Sequence, residues 1–121
     1  MEISLKDQVA IITGSSSGIG AGIAQSMAEA GATVVINYPS ENSLDMANTV
    51  LKEITDKGGK GIVYQCDVSQ EDEVIKMFQE VVKQLGTVDI LVNNAGIQKD
   101  AKFTEMTLDQ WNAVIGVNLT G

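Results

Sequence analysis

The chain contains no histidine, and among its 121 residues there is one cysteine, one proline and one tryptophan. Without histidine, the commonest general base near neutral pH is missing, and so is the usual nitrogen ligand of zinc. The single Cys66 cannot close an intrachain disulfide, which fits a reducing compartment, and its expected role is that of a small buried hydrophobe. Eight Lys and Arg face sixteen Asp and Glu, for a formal charge of −8, and no run of basic residues occurs. Nothing therefore supplies the phosphate neutralisation that strong nucleic-acid binding requires, and the acidity reads as a solvated surface. No apolar run approaches the roughly 20 residues of a bilayer-spanning helix. The start, Met1–Asp7, lacks the apolar core of a signal peptide. The expectation is a soluble cytoplasmic protein with no nucleic-acid and no membrane partner.

What is present is the composition of an ordinary globular domain, 44% hydrophobic and 20% charged. Short apolar runs alternate with segments of helical periodicity. Val9–Ile12 is continuously apolar, as a strand covered on both faces should be. Ile19, Ile23 and Met27, with the alanines between them, recur at helical spacing, and Gly31 stands where a helix ends. Thr33–Ile36 is a β-branched strand, broken by Pro39 and Ser40. A second helix carries Leu44, Ala47, Leu51 and Ile54 on one face and stops at Gly58–Gly59.

A third strand, Gly61–Gln65, follows. Ser69-Gln70-Glu71-Asp72 then reads as a helix cap with acids in the first turn, where the helix dipole favours them. Val74, Phe78, Val81, Val82 and Leu85 form the stripe of a third helix ended by Gly86, and Val88–Val92 is the fourth strand. Thr107-Leu108-Asp109-Gln110 fits a capping box that opens a fourth helix through Trp111, Val114 and Ile115. The pattern βαβαβαβα implies one α/β domain over residues 1–121, a Rossmann-type doubly wound parallel sheet of strand order 3-2-1-4. In such a sheet ligands bind at the carboxyl ends of strands one and four, where the order reverses.

Two turns of small residues fall at that switch point. The first is Thr13-Gly14-Ser15-Ser16-Ser17-Gly18-Ile19-Gly20, a strand-to-helix turn. Its glycines permit a tight bend and close ligand approach, and the helix that follows presents unpaired N–H groups to an anion. The spacing, glycine at 14, 18 and 20, differs from the commoner G-x-G-x-x-G of dinucleotide folds. The second is Asn93-Asn94-Ala95-Gly96.

With Cys66-Asp67-Val68 and Val117-Asn118-Leu119-Thr120-Gly121, these two turns resemble, in order, the successive signatures of the short-chain dehydrogenase/reductase family. The resemblance covers nearly the whole chain. It implies that backbone groups from Ser15 through Ser16, Ser17 and Gly18 to Ile19 hold a cofactor pyrophosphate, with Gly14 and Gly20 permitting the approach. It further implies that Asp67 accepts from the adenine amino group, that Val68 packs near the ring, and that Asn94, Ala95 and Gly96 line the ribose and nicotinamide side. Asn118 matches the family's helix-distorting Asn, which anchors a water on the proton-relay path. Trp111 is expected to be a packing residue.

The second strand ends Ile36-Asn37-Tyr38, with Asn37 and Tyr38 as further cofactor-binding positions. No carboxylate stands there to bond the ribose hydroxyls of NAD and repel the phosphate of NADP. Ser17 and Pro39 occupy places where the family often has a basic residue. The reading is NADP or NAD, leaning to NADP or dual use. Within the family the segments Val34–Ser40 and Asn118–Gly121 look most like bacterial glucose 1-dehydrogenases, except that Pro39 replaces an Arg. The alternative is the 3-oxoacyl-carrier-protein reductases.

The family's catalytic Ser and Tyr-x-x-x-Lys pattern has no match in this chain: Tyr38 is followed four places on by Asn42, and Tyr64 by Val68. Two readings stand. In one, these residues are the amino-terminal cofactor-binding portion of an oxidoreductase for an alcohol or carbonyl substrate, inactive alone and part of a homo-oligomer when complete. In the other, the chain is a non-catalytic nucleotide- or partner-binding module. Ending at Gly121 would leave Val88–Val92 as an edge strand. The isolated chain is accordingly expected to aggregate, to self-associate or to need a partner strand.

Overall fold

The computed structural model describes residues 4–94. Four parallel strands, β1 (Val9–Ile12), β2 (Thr33–Tyr38), β3 (Lys60–Gln65) and β4 (Ile90–Val92), lie in the order β3-β2-β1-β4. The helices α1 (Gly18–Glu29), α2 (Leu44–Asp56) and α3 (Glu71–Leu85) connect them, with a single 3-10 turn at Glu41–Ser43 before α2. The expected order and the expected doubly wound arrangement are both present.

Strand alternation sorts the core into two layers. Ala10, Ile12, Val34, Ile36 and Tyr38 face α1 and α2, whose Ala21, Ala24, Ala28, Ala47, Val50 and Ile54 complete that layer. Val9, Ile11 and Val35 face the other way, onto Val74, Met77, Phe78 and Val81 of α3. The central strand β1 is buried along its whole length, which is why its sequence is uniformly apolar instead of alternating. Met77 and Val50 join the cores beside the residues that the periodicity singled out.

Three local expectations are corrected. Ile19 is 75% exposed instead of lying on the buried face of α1, which consists of Gly20, Ala21, Ala24 and Ala28. Small residues allow α1 to lie close to the sheet, and the first-turn Ile19 projects beyond the sheet's end. At α3, Ser69 does not cap the helix. Its hydroxyl and its N–H both donate to Asp67 Oδ1, at 2.6 and 2.9 Å, and Gln70 takes the N-cap position. The hydroxyl is turned to the Asp67 carboxylate instead of accepting from the amides of α3. Finally, β4 starts at Ile90 and not at Val88. Asp89 Oδ2 accepts the N–H of Val9 at 2.8 Å, so a side chain, not the ladder, satisfies the first donor of β1.

Helices α1 and α2 end alike. Ala32 and Gly31 donate to the carbonyls of Met27 and Ala28, and Gly59 and Gly58 to those of Ile54 and Thr55, the paired bonds of a Schellman motif. Between these two ends lies a cavity of about 300 Å³ lined by Gln25, Glu29, Ile54 and Lys57. It sits at the amino-terminal edge of the strands, away from their carboxyl ends.

Cys66 is buried against the α3 layer. Burial, helped by the carboxylates of Glu73, Asp67 and Asp72, pushes its thiol up from 9.0 to about 12. The thiol is therefore expected to stay unlabelled by a disulfide reagent at pH 8 until the protein is denatured. Below about pH 9 both folded and unfolded chains carry the proton, so this group does not alter stability. Between pH 9 and 12 the unfolded thiol ionises first, and the melting temperature is expected to fall. Equal labelling rates in folded and denatured protein would contradict this account.

Candidate functional site

The crevice forms where β1 and β4 end side by side, their register running from Ala10↔Ile90 to Ile12↔Val92. Beyond the last pair the two chains stay tied. Thr13 N–H donates to the Val92 carbonyl at 3.0 Å. The Thr13 hydroxyl lies 3.3 Å from the same carbonyl and 3.4 Å from Asn93 Oδ1. Asn94 Nδ2 donates to the Gly14 carbonyl at 3.3 Å. The two small-residue turns thus meet, as their positions in the sequence implied.

The turn after β1 is shaped by a left-handed Gly18 (φ +60°) and by the packing of Gly20. A Cβ at Gly18 would meet nothing within 4 Å, so that side of the loop is open. A Cβ at Gly20 would collide with the Gly14 carbonyl oxygen and lie 2.7 Å from Asn94 Nδ2. Only glycine lets the first turn of α1 sit directly on the loop. Ser17, at the N-cap, is exposed along with Gly18 and Ile19, and its side chain makes no capping hydrogen bond. The N-terminal amides of a 12-residue helix therefore point at an open rim.

Ser15 has a different part from the one expected. Its N–H donates to the Asn37 carbonyl at 3.0 Å, and its hydroxyl donates to the Ile12 carbonyl at 2.7 Å. Both of its donors are used inside the protein, and the Gly14 N–H goes to Asn37 Oδ1 at 2.9 Å. The amides left for a ligand start at Ser16, itself largely buried, and not at Ser15. Asn37 and Tyr38 are likewise turned inward: Asn37 is 1% exposed and Tyr38 packs in the α1–α2 layer. The exposed residues at the end of β2 are Pro39 and Ser40.

At the end of β3, Asp67 is half-buried and holds Ser69, while Glu73 Oε1 accepts the Asp67 N–H at 3.1 Å. Val68 packs against the α3 layer. Ala95, Gly96, Asn118 and the fourth helix lie outside the described residues. Among the described residues no three His, Cys, Asp or Glu side chains group as metal ligands, and no helix is long and apolar enough to cross a membrane. Motif reading missed the Asp89 contact to β1 and the tie between Asn37 and Ser15. An Asn inside an otherwise apolar strand was the available signal for the second.

The loop, the carboxyl ends of β1 and β4, and the Asp67 turn line one edge of a doubly wound sheet. Comparison with known proteins agrees with that geometry. The chain is 46% identical over 112 residues to 3-oxoacyl-[acyl-carrier-protein] reductase FabG of Staphylococcus epidermidis, covering 93% of this chain and 45% of that protein. It is 41% identical over 118 residues to the 3-oxoacyl-[acyl-carrier-protein] reductase of Synechocystis, covering 98% and 47%. Among solved structures, a hydroxysteroid dehydrogenase from Escherichia coli superposes with a TM-score of 0.75 at 30% identity, covering 93% of this chain and 52% of that one. A dehydrogenase/reductase from Sinorhizobium meliloti gives 0.74 at 32% identity, covering 97% and 46%. The chain thus spans about half the length of the relatives it matches. A family model described as short chain dehydrogenase matches residues 8–121, and the chain belongs to that family.

Proposed function

We propose that these residues are the amino-terminal, dinucleotide-binding part of an NAD(P)-dependent oxidoreductase that acts on a 3-oxoacyl thioester. The observation that carries the cofactor assignment is the contact of Gly20 with the Gly14 carbonyl, beside an open Gly18 and the uncapped start of α1. Glycine at 20 lets the first turn of α1 close on the loop, while the loop stays open beside Gly18, at the switch point of the sheet. The residues present fit a dinucleotide: amides from Ser16 to Gly20 face its pyrophosphate, and the exposed Ile19 covers it. Asp67 and Val68 flank the adenine, and Asn94, Ala95 and Gly96 border the ribose of the nicotinamide. When bound, the reduced nicotinamide supplies a hydride to a carbonyl carbon. Asn118 is assigned the water of the proton relay.

The relatives named as 3-oxoacyl-carrier-protein reductases support this substrate class over glucose, the reading favoured by the segments Val34–Ser40 and Asn118–Gly121. NADP is the preferred cofactor. With Asn37 and Tyr38 turned inward, the end of β2 offers Pro39 and Ser40 to the adenosine ribose, and neither repels a 2′-phosphate. We further propose that the complete protein is a cytoplasmic homo-oligomer.

Titration with NADPH and NADH, followed by nicotinamide fluorescence, tests the cofactor assignment. Both are expected to bind, NADPH the tighter. Steady-state rates of the complete gene product, with a 3-oxoacyl thioester and NADPH against glucose and NADP, test the substrate. Turnover of glucose alone would refute the thioester reading, and failure of both dinucleotides to bind would refute the whole proposal.

A further inference from the structure

We infer that Asn37 is a positioning residue that holds the two halves of the dinucleotide site in register, an inference that rests on the cofactor reading above. Strand β2 lies between β1 and β3, and the ladders end at Ile12↔Ile36 on one side and Tyr38↔Gln65 on the other. Past those pairs the Gly14–Gly20 loop and the Asp67 turn leave the sheet, each still tied to β2 by one backbone bond, Ser15 N–H to the Asn37 carbonyl and Cys66 N–H to the Tyr38 carbonyl. The Asn37 side chain spans them. Its Oδ1 accepts the Gly14 N–H at 2.9 Å, and its Nδ2 donates to the Cys66 carbonyl at 3.0 Å and toward the Tyr64 carbonyl at 3.4 Å.

The backbone of Asn37 is held as firmly. Its N–H donates to Ser15 Oγ and its carbonyl accepts the Ser15 N–H, each at 3.0 Å. The amide presents an acceptor to one loop and a donor to the other from two separate atoms of one short side chain. Aspartate would face the two carbonyl oxygens with an acceptor, and alanine would leave the Gly14 N–H and the Cys66 carbonyl without this partner. Asn37 touches no ligand position itself. It acts through Gly14, which opens the pyrophosphate loop, and through Cys66, which precedes Asp67.

The test uses the full chain carrying Asn37→Ala or Asn37→Asp, with thermal melts to identify folded protein. Dinucleotide affinity is read by NADPH fluorescence and loop order by amide hydrogen exchange. Both variants are expected to weaken NADPH binding at least tenfold. Both are expected to speed exchange in residues 14–20 and 66–70 together, with the amides of α3 beyond Val74 unchanged. Ser15→Ala, which cuts only the loop's tie to β1 and β2, is expected to speed exchange in 14–20 alone.

If Asn37→Ala and Asn37→Asp do not fold, Asn37→Ser, whose shorter side chain cannot span both loops, is expected to weaken NADPH binding at least tenfold and to speed exchange in both loops. A folded Asn37→Ala or Asn37→Asp protein that binds NADPH within twofold of wild type overturns the inference. So does faster exchange in only one of the two loops of those variants. Wild-type protein that binds neither dinucleotide overturns the cofactor reading instead, and the exchange data still decide whether Asn37 links the loops.

Discussion

Gly20→Ala is expected to weaken NADPH binding about 100-fold, equivalent to about 2.7 kcal/mol, and to destabilise the fold by about 2–3 kcal/mol. The added methyl would overlap the Gly14 carbonyl oxygen and lie 2.7 Å from Asn94 Nδ2. Neither the carbonyl nor the helix backbone can swing aside like a flexible side chain. The loop must lift from α1, and the amides of the helix start then no longer face the same point. Gly22→Ala is the internal control. A Cβ at Gly22 meets nothing within 4 Å, and alanine in a helix interior is favoured over glycine by about 0.5–1 kcal/mol. Two glycines two positions apart are thus expected to respond with opposite sign. Chemical denaturation with a dinucleotide titration on each variant checks this, and equal effects at the two sites would refute the close-approach account.

Phe78→Ala is expected to cost about 3–5 kcal/mol of folding stability, enough to unfold a marginal domain. Phe78 is fully buried at the centre of the α3 layer, with Ile11, Val35, Val74 and Met77 in the same cluster. Helix α3 is the described helix on that face of the sheet. The cavity left behind would be lined by a strand already covered on its other side, with little room to collapse. Phe78→Leu, closer in volume, is expected to cost less than half as much. A denaturation midpoint for Phe78→Ala within 1 kcal/mol of wild type would show that α3 is not an essential layer.

The strand order and the position of both turns could be read from the residues because burial on two faces leaves strands with no polar alternation. Val9–Ile12 is bounded on both sides by polar or turn residues, and its limits match those of β1. The same signal fails at strand and helix ends. Periodicity placed Ile19 with the core because it has no knowledge of where the sheet below the helix stops. The end of the second strand is where the family meets the cofactor ribose, so the sequence points Asn37 into the crevice. Strand alternation instead puts it on the side of Val35, opposite Ile36 and Tyr38, under the loops and away from solvent. Ser69 matches a capping pattern, but a pattern counts spacing and cannot weigh Asp67 as a rival partner for the hydroxyl. At the start of β4, Asp89 accepts the Val9 N–H with its side chain while its own N–H donates to the Val9 carbonyl, a mixed pairing that apolar patterning does not distinguish from a strand.

The tie between Asn94 and Gly14 joins residues 80 positions apart, whereas the tie between Asn37 and Gly14 spans 23. Closing the longer loop carries the larger entropic cost, and contacts of that range form late in folding. A chain emerging from the ribosome can pair β1 with β2 and β2 with β3 while β4 is still being made. During that interval the Gly14–Gly20 loop is anchored from the β2 side and open on the other. The crevice acquires its second wall only when residues 90–94 arrive, so under the proposed function the ability to hold a dinucleotide is expected late in the life of the nascent chain.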